Sequence, residues 1–392
     1  MRYKDALYGD VLISPLMYEL SESSRMLRLR EISQGVLPPD CLTRPIPSRY
    51  EHGMGAAHLA LCALLHSRQK LGRYELLFVL AAMLHDAGNT GLSHLNEHFL
   101  KQLFKMDGES FLRVLLEGSD TARIIAKCGY TLDEVVQFVT GKLRPYSVAL
   151  HGSLDVDNLD NVLRYLYTAT GVRGYDAEHI ASLYRFDPVI GWYMHDDGSA
   201  LEQVRAWKDM RRAVYALIYE KAHLSAAAMV YQAVDLAVEH GEIGLDYFKL
   251  TDDGCLAYLY DCNPDSKYLV GQVLKHERFE QIFARISRER GSNLAKLCQA
   301  KDRFGEPDAR KQVETMITER FGIPRRSFCC YAATGRDERR VTLPLISHGG
   351  NCRTDGDKVK PPHRLFVYLD PASMQYEDRI VRYMEEQFPA DV

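Results

Sequence analysis

Apolar side chains recur at helical spacing along most of the chain, from its first residues to about residue 320. The pattern predicts helices over residues 50–70 and 74–86. The second of these, YELLFVLAAMLHD, is apolar on nearly every side, so we expect it to be buried, and Gly88 then ends it. Ser153 is predicted to cap a helix that starts near Asp155. Further helical patterns cover residues 132–140, 158–168, 201–240 and 273–302.

The pattern changes after Pro324. The segments RRVTLPLI and HRLFVYLD have the composition of strands, and a Gly-rich, charged stretch over residues 348–362 separates them. The ending EDRIVRYMEEQF has the spacing of a short amphipathic helix. We therefore predict a mainly α fold, with a helical domain over residues 1–320 and a small α+β C-terminal subdomain over residues 321–392. Because no residue of the subdomain matches a catalytic motif, its predicted role is structural or oligomeric.

Composition narrows the class of protein. Hydrophobic residues make up 46% of the chain and charged residues 26%, as in ordinary globular proteins, and the net charge of -4 gives no sign of a nucleic-acid or membrane-surface binder. No apolar run is long enough to span a bilayer, and the start of the chain lacks the apolar region of a signal peptide, so we expect a cytoplasmic protein. The nine cysteines form no C-x-x-C pair, which favours reduced thiols over disulfides or a zinc ribbon.

A His-Asp doublet, His85-Asp86, stands at the end of the buried second helix. Adjacent residues on a helix point roughly 100° apart, so both side chains reach one ion only where the chain leaves the helix. A carboxylate in such apolar surroundings also needs a cation or hydrogen bonds. The doublet alone is weak evidence for a metal site. A second doublet, His195-Asp196, lies in the polar stretch MHDDGS and is predicted to be a solvated loop.

Two further residues strengthen the case for a metal site. His52 lies at the start of the first predicted helix, and Asp157 at the start of another. Two imidazoles and two carboxylates form a mixed nitrogen and oxygen site, which suits Fe, Mn, Mg, Ni or Co better than a thiolate-preferring ion. Four protein ligands leave positions for water and substrate oxygens. The alternative is that all four are separate core or cap residues.

Several motifs occur in a fixed order along the chain. They are YKDALYG at residues 3–9, RMLRLREISQG at 25–35, RYEH at 49–52, LDVD at 154–157 and RRAVYALIYEKAHLSAAAM at 211–229. The set resembles the HD-domain deoxynucleoside triphosphate triphosphohydrolases, which include the bacterial dGTPases and a vertebrate enzyme with a SAM and an HD domain. The resemblance runs to about residue 255 and continues more loosely beyond, and the sequence gives no expectation of a SAM domain before it. It implies the HD-domain helical fold.

The resemblance also implies a metal site formed by His52, His85, Asp86 and Asp157. It implies a catalytic His94, assisted by Glu97, which lies three residues later and therefore on the same helix face. The alternatives are a helix-cap or core role for His94 and a solvated surface position for Glu97.

Substrate contacts follow from the same resemblance. Arg49 and Asn89, with Lys142 or Arg144, would offset phosphate charge. Gln34, Arg211 and Tyr219 would line the rest of the pocket, and for these three the alternative is plain helix packing or surface.

The chain departs from the family at several positions. Ala6 stands where proline is usual, and Asn89 where many members have a phosphate-contacting histidine. Gly108-Glu109 stands where the vertebrate enzyme has another histidine before its glutamate. Asn158 and Asn161 replace a lysine and a tyrosine that contact phosphate and sugar in relatives. The hydrolytic chemistry remains plausible, but these departures leave the substrate open.

The expected function is that of a metal-dependent phosphohydrolase, an enzyme that converts a dNTP to a deoxynucleoside and tripolyphosphate. One alternative is a phosphatase for another phosphorylated nucleoside in specialised metabolism. Another is a catalytically weak nucleotide-sensing module, against which the complete metal set argues. The expected cofactor is a divalent ion and the expected partner a nucleotide, while nucleic acid and membrane are not expected. The resemblance also implies a homo-oligomer.

Overall fold

In the computed structural model of the chain, residues 1–391 are described apart from 43, 66, 68–70, 107, 300–308, 348–349, 351 and 354–359. Helices dominate these residues and three small sheets accompany them, which confirms the mainly α fold with a small α+β region. Within the described ranges, no helix combines the length and the apolar character needed to cross a bilayer.

The α-helices are numbered here in chain order, and short 3-10 turns are left unnumbered. They are α1 Pro15–Ser21, α2 Ser24–Arg28, α3 Arg49–Leu64, α4 Tyr74–Leu84, α5 His94–Phe104, α6 Gly108–Leu116, α7 Asp120–Lys127, α8 Leu132–Val139, α9 Val156–Thr170, α10 Ala177–Ser182, α11 Ala200–Ile218, α12 Lys221–Glu239, α13 Asp252–Cys262, α14 Pro264–Leu274, α15 Asn293–Gln299, α16 Ala309–Phe321 and α17 Glu377–Gln387.

The strands form three sheets, with orders β1-β2, β3-β4-β7-β8 and β5-β9-β6. They are β1 Arg2–Asp5, β2 Gly9–Leu12, β3 Tyr184–Asp187, β4 Gly191–Asp196, β5 Glu280–Ser287, β6 Phe328–Thr334, β7 Leu345–Ser347, β8 Cys352–Arg353 and β9 His363–Leu369.

Helices α3 and α4 form the centre of the helical body. A capping box between Ser48 and Glu51 starts α3, since the Ser48 hydroxyl accepts from the Glu51 backbone N–H and the Glu51 carboxylate accepts from that of Ser48. Every residue from Leu77 to Leu84 of α4 is buried, as its sequence predicts. The two helices approach so closely that a Cβ at Gly53 would lie 2.7 Å from the Met83 carbonyl oxygen, so glycine is required there.

Helix α9 packs across α3 and brings a third element to the same place. Its cap is Asp155, whose carboxylate accepts the backbone N–H of Asn158, and not Ser153 as predicted. The Ser153 hydroxyl instead accepts the backbone N–H groups of Thr342 and Leu343 from far along the chain. A long-range contact of this kind leaves no trace in local sequence.

The C-terminal sheet differs from expectation in one respect. Strand β5 lies inside the segment 273–302, for which the sequence predicted a helix, so that prediction is wrong there. Residues 280–287 become a strand because they pair antiparallel with β9, whose other edge pairs antiparallel with β6. Apolar residues of α15, α16 and α17 pack with those of β5, β6 and β9 in one hydrophobic cluster.

On each side of the predicted domain boundary near residue 320, one strand joins a sheet that belongs to the other side. Strand β5 precedes the boundary but belongs to the C-terminal sheet. Strand β7 follows it, yet pairs in parallel with β4 of the helical body. His195 and Asp196, predicted as a loop, end strand β4 and pair with β7. The division into domains at residue 320 stays a prediction.

Candidate metal centre

Two imidazoles face each other where α3 meets the end of α4. His52 is fully buried in α3, and His85 follows the last residue of α4. Their Nε2 atoms lie 3.1 Å apart. Each Nδ1 faces an acceptor, since that of His52 is 2.8 Å from Asp160 Oδ2 and that of His85 is 2.8 Å from the Ala82 carbonyl oxygen. Both Nδ1 atoms must therefore donate, which leaves two Nε2 lone pairs that lie close together and that a cation or a proton stabilises.

Two carboxylates surround the same point. Asp157, from the first turn of α9, places Oδ1 3.1 Å from His52 Nε2 and 3.6 Å from His85 Nε2. Asp86 places Oδ1 3.6 Å from His85 Nε2 and Oδ2 3.8 Å from His52 Nε2. The fold thus brings together all four residues that the sequence predicted as ligands. Ligand atoms of His52, His85 and Asp157 all lie within 4.8 Å of one another, as one ion requires.

The centre favours positive charge between these carboxylates. Burial opposes protonation of His52, but hydrogen bonds to Asp157 and Asp160 outweigh it and raise the His52 pKa. Burial also opposes protonation of His85, yet the charge of Asp86 and the hydrogen bond to Asp157 raise its pKa to about 10. His52 and Asp86 are buried, and His85 and Asp157 are half-buried. A set of two imidazoles and two carboxylates that holds protons this strongly fits a divalent ion in their place.

A buried carboxylate behind His52 was missed by sequence reasoning. Asp160 accepts the His52 Nδ1 proton and is itself held by Arg164, whose Nε and Nη2 lie 2.8 and 2.9 Å from its two oxygens. Tyr8 donates to Asp160 Oδ1, and Arg164 also binds Asp5. A carboxylate on the far nitrogen fixes the ring of a metal-binding histidine and raises its basicity. The signal was present in the sequence, since position 160 lies one helical turn after Asp157.

Arg49 and Asn89, predicted to contact phosphate, both hold Asp86. Arg49 Nη1 lies 2.6 Å from Asp86 Oδ2, and its Nε donates to the Ser93 hydroxyl at 3.0 Å. Asn89 Nδ2 lies 2.7 Å from Asp86 Oδ1. These contacts orient the Asp86 carboxylate beside the two histidines. Phosphate contact by Arg49 or Asn89 stays a prediction.

His94 and Glu97 form a pair at the start of α5. His94 Nδ1 lies 3.1 Å from Glu97 Oε1, as the three-residue spacing predicted. The turn before them is strained, because Leu92 and Ser93 have φ of 58° and 48°, the left-handed region that side chains rarely adopt. Buried Asp252 holds this turn by accepting the backbone N–H of Leu92 at 2.7 Å. This distant residue was also missed by sequence reasoning.

A cleft of about 970 Å³ adjoins the centre. Buried Gln34 lines it, and neither atom of its amide group has a hydrogen-bond partner among the described residues. Tyr219 does not line the cleft, because its ring packs under the Arg364 guanidinium, 4.1 Å from the ring centroid. Of the two basic alternatives, Arg144 lines it and Lys142 does not. The polar and charged residues of the lining include Gln34, His94, Arg144, Asp155, Asp157, Asn158, Arg211, Arg336 and Arg339.

A second cluster of metal-binding residue types lies in the described part of the chain. His58 and Cys62 are one helical turn apart on α3, and His58 Nε2 lies 2.8 Å from Glu178 Oε1. Glu178 is exposed, and this cluster shares no residue with the cleft lining, so its residues offer control positions remote from the cleft.

No family model matches the chain. An uncharacterized protein of Mycoplasma pneumoniae is 23% identical over 313 residues, which cover 72% of each chain. A hypothetical protein from Aquifex aeolicus has a similar structure, with a TM-score of 0.72 and 17% identity over 97% of this chain and 98% of that one. A phosphohydrolase from Bacteroides thetaiotaomicron has a TM-score of 0.68 and 17% identity over 94% of this chain and 99% of that one. At these identities the likeness shows a shared fold along nearly the whole chain.

Proposed function

We propose that the chain is an HD-type, metal-dependent phosphohydrolase, and that it cleaves a dNTP to a deoxynucleoside and tripolyphosphate. One observation carries the proposal. The Nε2 atoms of His52 and His85 lie 3.1 Å apart, the Asp157 carboxylate lies within reach of the same ion, and Asp86 Oδ1 is 3.6 Å from His85 Nε2, all beside a large cleft. The shared fold with a bacterial phosphohydrolase supports the same chemistry.

In this proposal His52, His85, Asp86 and Asp157 hold the ion, while Asp160 and Arg49 keep two of them oriented. A bound divalent ion supplies Lewis-acid stabilisation of the charge that develops on a phosphate. The chain itself supplies acid–base chemistry. His94 is largely exposed in the cleft and paired with Glu97, so its imidazolium can donate a proton to the departing 5′ oxygen.

The cleft supports a nucleotide as the substrate. Its volume of about 970 Å³ suits a ligand of that size. The buried, unpartnered amide of Gln34 offers donor and acceptor groups together, which is the chemistry that a base edge or sugar hydroxyl needs. An unpaired buried amide is costly, so a ligand that satisfies Gln34 gains affinity. Arg211 and Arg144 provide positive charge in the same cleft.

The test is a panel of ribo- and deoxynucleotides incubated with Mn²⁺, Mg²⁺, Fe²⁺, Ni²⁺ or Co²⁺ in isotopically labelled water, with products separated by chromatography. The expected products are a deoxynucleoside and tripolyphosphate that carries the label, which places the attack on the α-phosphorus. The His94→Ala variant, which leaves the four proposed ligands intact, is the matched control and should form almost no product.

A phosphatase for another phosphorylated nucleoside is the second candidate. This candidate is favoured by Asn158, which stands where relatives have a phosphate-contacting lysine. Its side-chain oxygen accepts hydrogen bonds from two arginines, so Asn158 cannot play the role of that lysine. Labelled orthophosphate with a nucleoside or a nucleoside diphosphate would select this candidate. No product with any metal would leave the nucleotide-sensing alternative. Light scattering on the same samples tests the homo-oligomer that we also propose.

A further inference from the structure

The chain after β6 leaves the C-terminal sheet and returns to the helical body. Residues 336–344, named here the return segment, run from the end of β6 to β7, which pairs with β4. The Ser153 hydroxyl accepts the backbone N–H groups of Thr342 and Leu343. Arg211 donates to the backbone carbonyl of Arg336 at 3.1 and 2.8 Å. These contacts fix the return segment against α11 and the start of α9.

The return segment forms part of the cleft wall. Arg336 and Arg339 line the cleft together with Asp157, a proposed metal ligand, and His94, the proposed acid. The C-terminal subdomain was predicted to have a structural or oligomeric role. That prediction leaves out the two arginines that the subdomain contributes to the cleft wall.

Asn158 positions two arginines beside the metal centre. Its side-chain oxygen accepts from Arg339 Nη1 at 2.8 Å and from Arg211 Nη1 at 3.2 Å. Arg339 Nη2 also donates to the Gly152 carbonyl oxygen. These described contacts use two of the five N–H donors of Arg339 and set the plane of its guanidinium. Because Asn158 directly follows Asp157, its two hydrogen bonds place both guanidinium groups next to a proposed metal ligand.

Like charges gathered in this way favour an anion, beyond the partial compensation that Asp155 gives Arg339 and that Asp155 and Asp157 give Arg211. Four arginines (Arg144, Arg211, Arg336 and Arg339) line the cleft, and the carboxylates that line it, Asp155 and Asp157, lie at the metal end. Two guanidinium groups on one neutral amide oxygen repel each other, and no carboxylate of the described residues accepts a hydrogen bond from Arg211 or Arg339. A polyphosphate supplies several acceptor oxygens, and the planar guanidinium of an arginine can bind two of them side by side.

We propose that Arg339 is a phosphate-binding residue of this site, delivered by the return segment and positioned by Asn158. The proposal rests on the proposed function and deepens it, since it assigns the part of the substrate that lies beyond the metal. It makes the cleft a composite site, complete only when the chain on both sides of residue 320 is in place.

The test is isothermal titration of the full chain with inorganic tripolyphosphate in the presence of Mn²⁺. Arg339→Gln should weaken binding roughly 10–100-fold, the range for loss of a charge-assisted hydrogen bond. Arg339→Lys should recover only part of the loss, because lysine lacks the planar fork. The matched control is Arg340→Gln, which removes the same charge from an exposed neighbour that does not line the cleft and should leave affinity unchanged.

A second variant keeps the proposal testable if Arg339→Gln folds poorly. Asn158→Leu removes the anchor but keeps both arginines, and by itself it should weaken tripolyphosphate binding because Arg339 and Arg211 lose the acceptor that positions them. Wild-type affinity in Arg339→Gln, an equal loss in Arg340→Gln, or wild-type affinity in Asn158→Leu would overturn the proposal. Tripolyphosphate binding that depends on Arg339 without dNTP hydrolysis would contradict the proposed function alone. Hydrolysis and binding that are both indifferent to Arg339 would contradict this inference alone.

Discussion

Replacing Asp160 by asparagine tests whether the buried carboxylate behind His52 builds the metal centre. The change keeps the shape of the side chain but removes the charge that faces His52 Nδ1 at 2.8 Å. An amide oxygen at this position can still accept the hydrogen bond from His52 Nδ1, but it does not raise the basicity of the imidazole as a carboxylate does. The new amide would also present its NH₂ group to one of the groups that now donate to Asp160, namely His52, Arg164 or Tyr8.

The expected magnitude follows from these contacts. Loss of the partner of a metal-binding histidine weakens metal affinity roughly 10–100-fold, or about 1.4–2.8 kcal/mol. The free energy of unfolding should fall as well, because Arg164 is only 2% exposed and loses the charge of one of its two carboxylates. Removal of one partner from a buried pair costs about 3–5 kcal/mol, and the cost here should be at the low end because Asp5 remains 3.0 Å away.

The assay is competition with a chromophoric chelator for Mn²⁺ or Co²⁺, together with chemical unfolding of each variant. Asp5→Asn is the matched control, since it removes the other carboxylate from Arg164 without touching His52. It should lose stability but keep its metal affinity within about twofold, as it leaves the hydrogen bond that orients the imidazole in place. Tyr8→Phe, which removes a single hydrogen bond to Asp160, is a milder variant if Asp160→Asn does not fold. Wild-type metal affinity in Asp160→Asn, or an equal loss in Asp5→Asn, would refute the reasoning.

Three further predictions concern metal, catalysis and pH. Asp157→Ala should remove most of the metal measured by elemental analysis, whereas Cys62→Ser in the second cluster should leave the content of the proposed centre unchanged. His94→Ala should keep the metal but lower kcat roughly 10²–10⁴-fold in steady-state assays, and an unchanged kcat would make His94 structural. Burial, Arg44 and Arg278 lower the pKa of His223 from 6.5 to about 4. The stability that the folded state gains from holding this side chain neutral is therefore complete above pH 6.5, and it is lost as the pH falls toward 4. His223→Gln should remove up to ~3 kcal/mol of that acid-side loss in unfolding titrations, whereas His240→Gln at the exposed end of the same helix should behave like the wild type.

Local sequence was sufficient where local physics decides the structure. The helix over residues 74–84 and the helix over residues 377–387 follow directly from apolar spacing. It failed where long-range pairing decides. Residues 280–287 form a strand only because β9 lies beside them, and Ser153 caps no helix because the return segment occupies its hydroxyl. The predicted helix over residues 201–240 likewise divides into two, with Tyr219 and Glu220 between them.

The residues of the candidate site likewise fall into those that the sequence predicted and those that only the tertiary structure revealed. Residue type, position at helix ends and the resemblance to the HD-domain family together predicted His52, His85, Asp86 and Asp157 as ligands, and the structure brings these four side chains close to one another. The resemblance implied the His94–Glu97 pair, and the spacing of three residues on one helix accounts for the contact between them. Only the tertiary structure placed Asp160 behind His52 and Asp252 beneath the strained turn before His94.

What the sequence by itself determined was therefore the helices with the strongest apolar spacing and the residue types at their ends, since both depend on residues a few positions apart. The tertiary structure decided which of those ends meet, that Arg49 and Asn89 hold Asp86, and that Tyr219 lies away from the cleft. It also decided that residues after β6 return to the metal centre, which places Arg339 on Asn158 across 181 positions of sequence. Contacts at such separation depend on the packing of the whole chain, and no local pattern of apolar and polar residues encodes them.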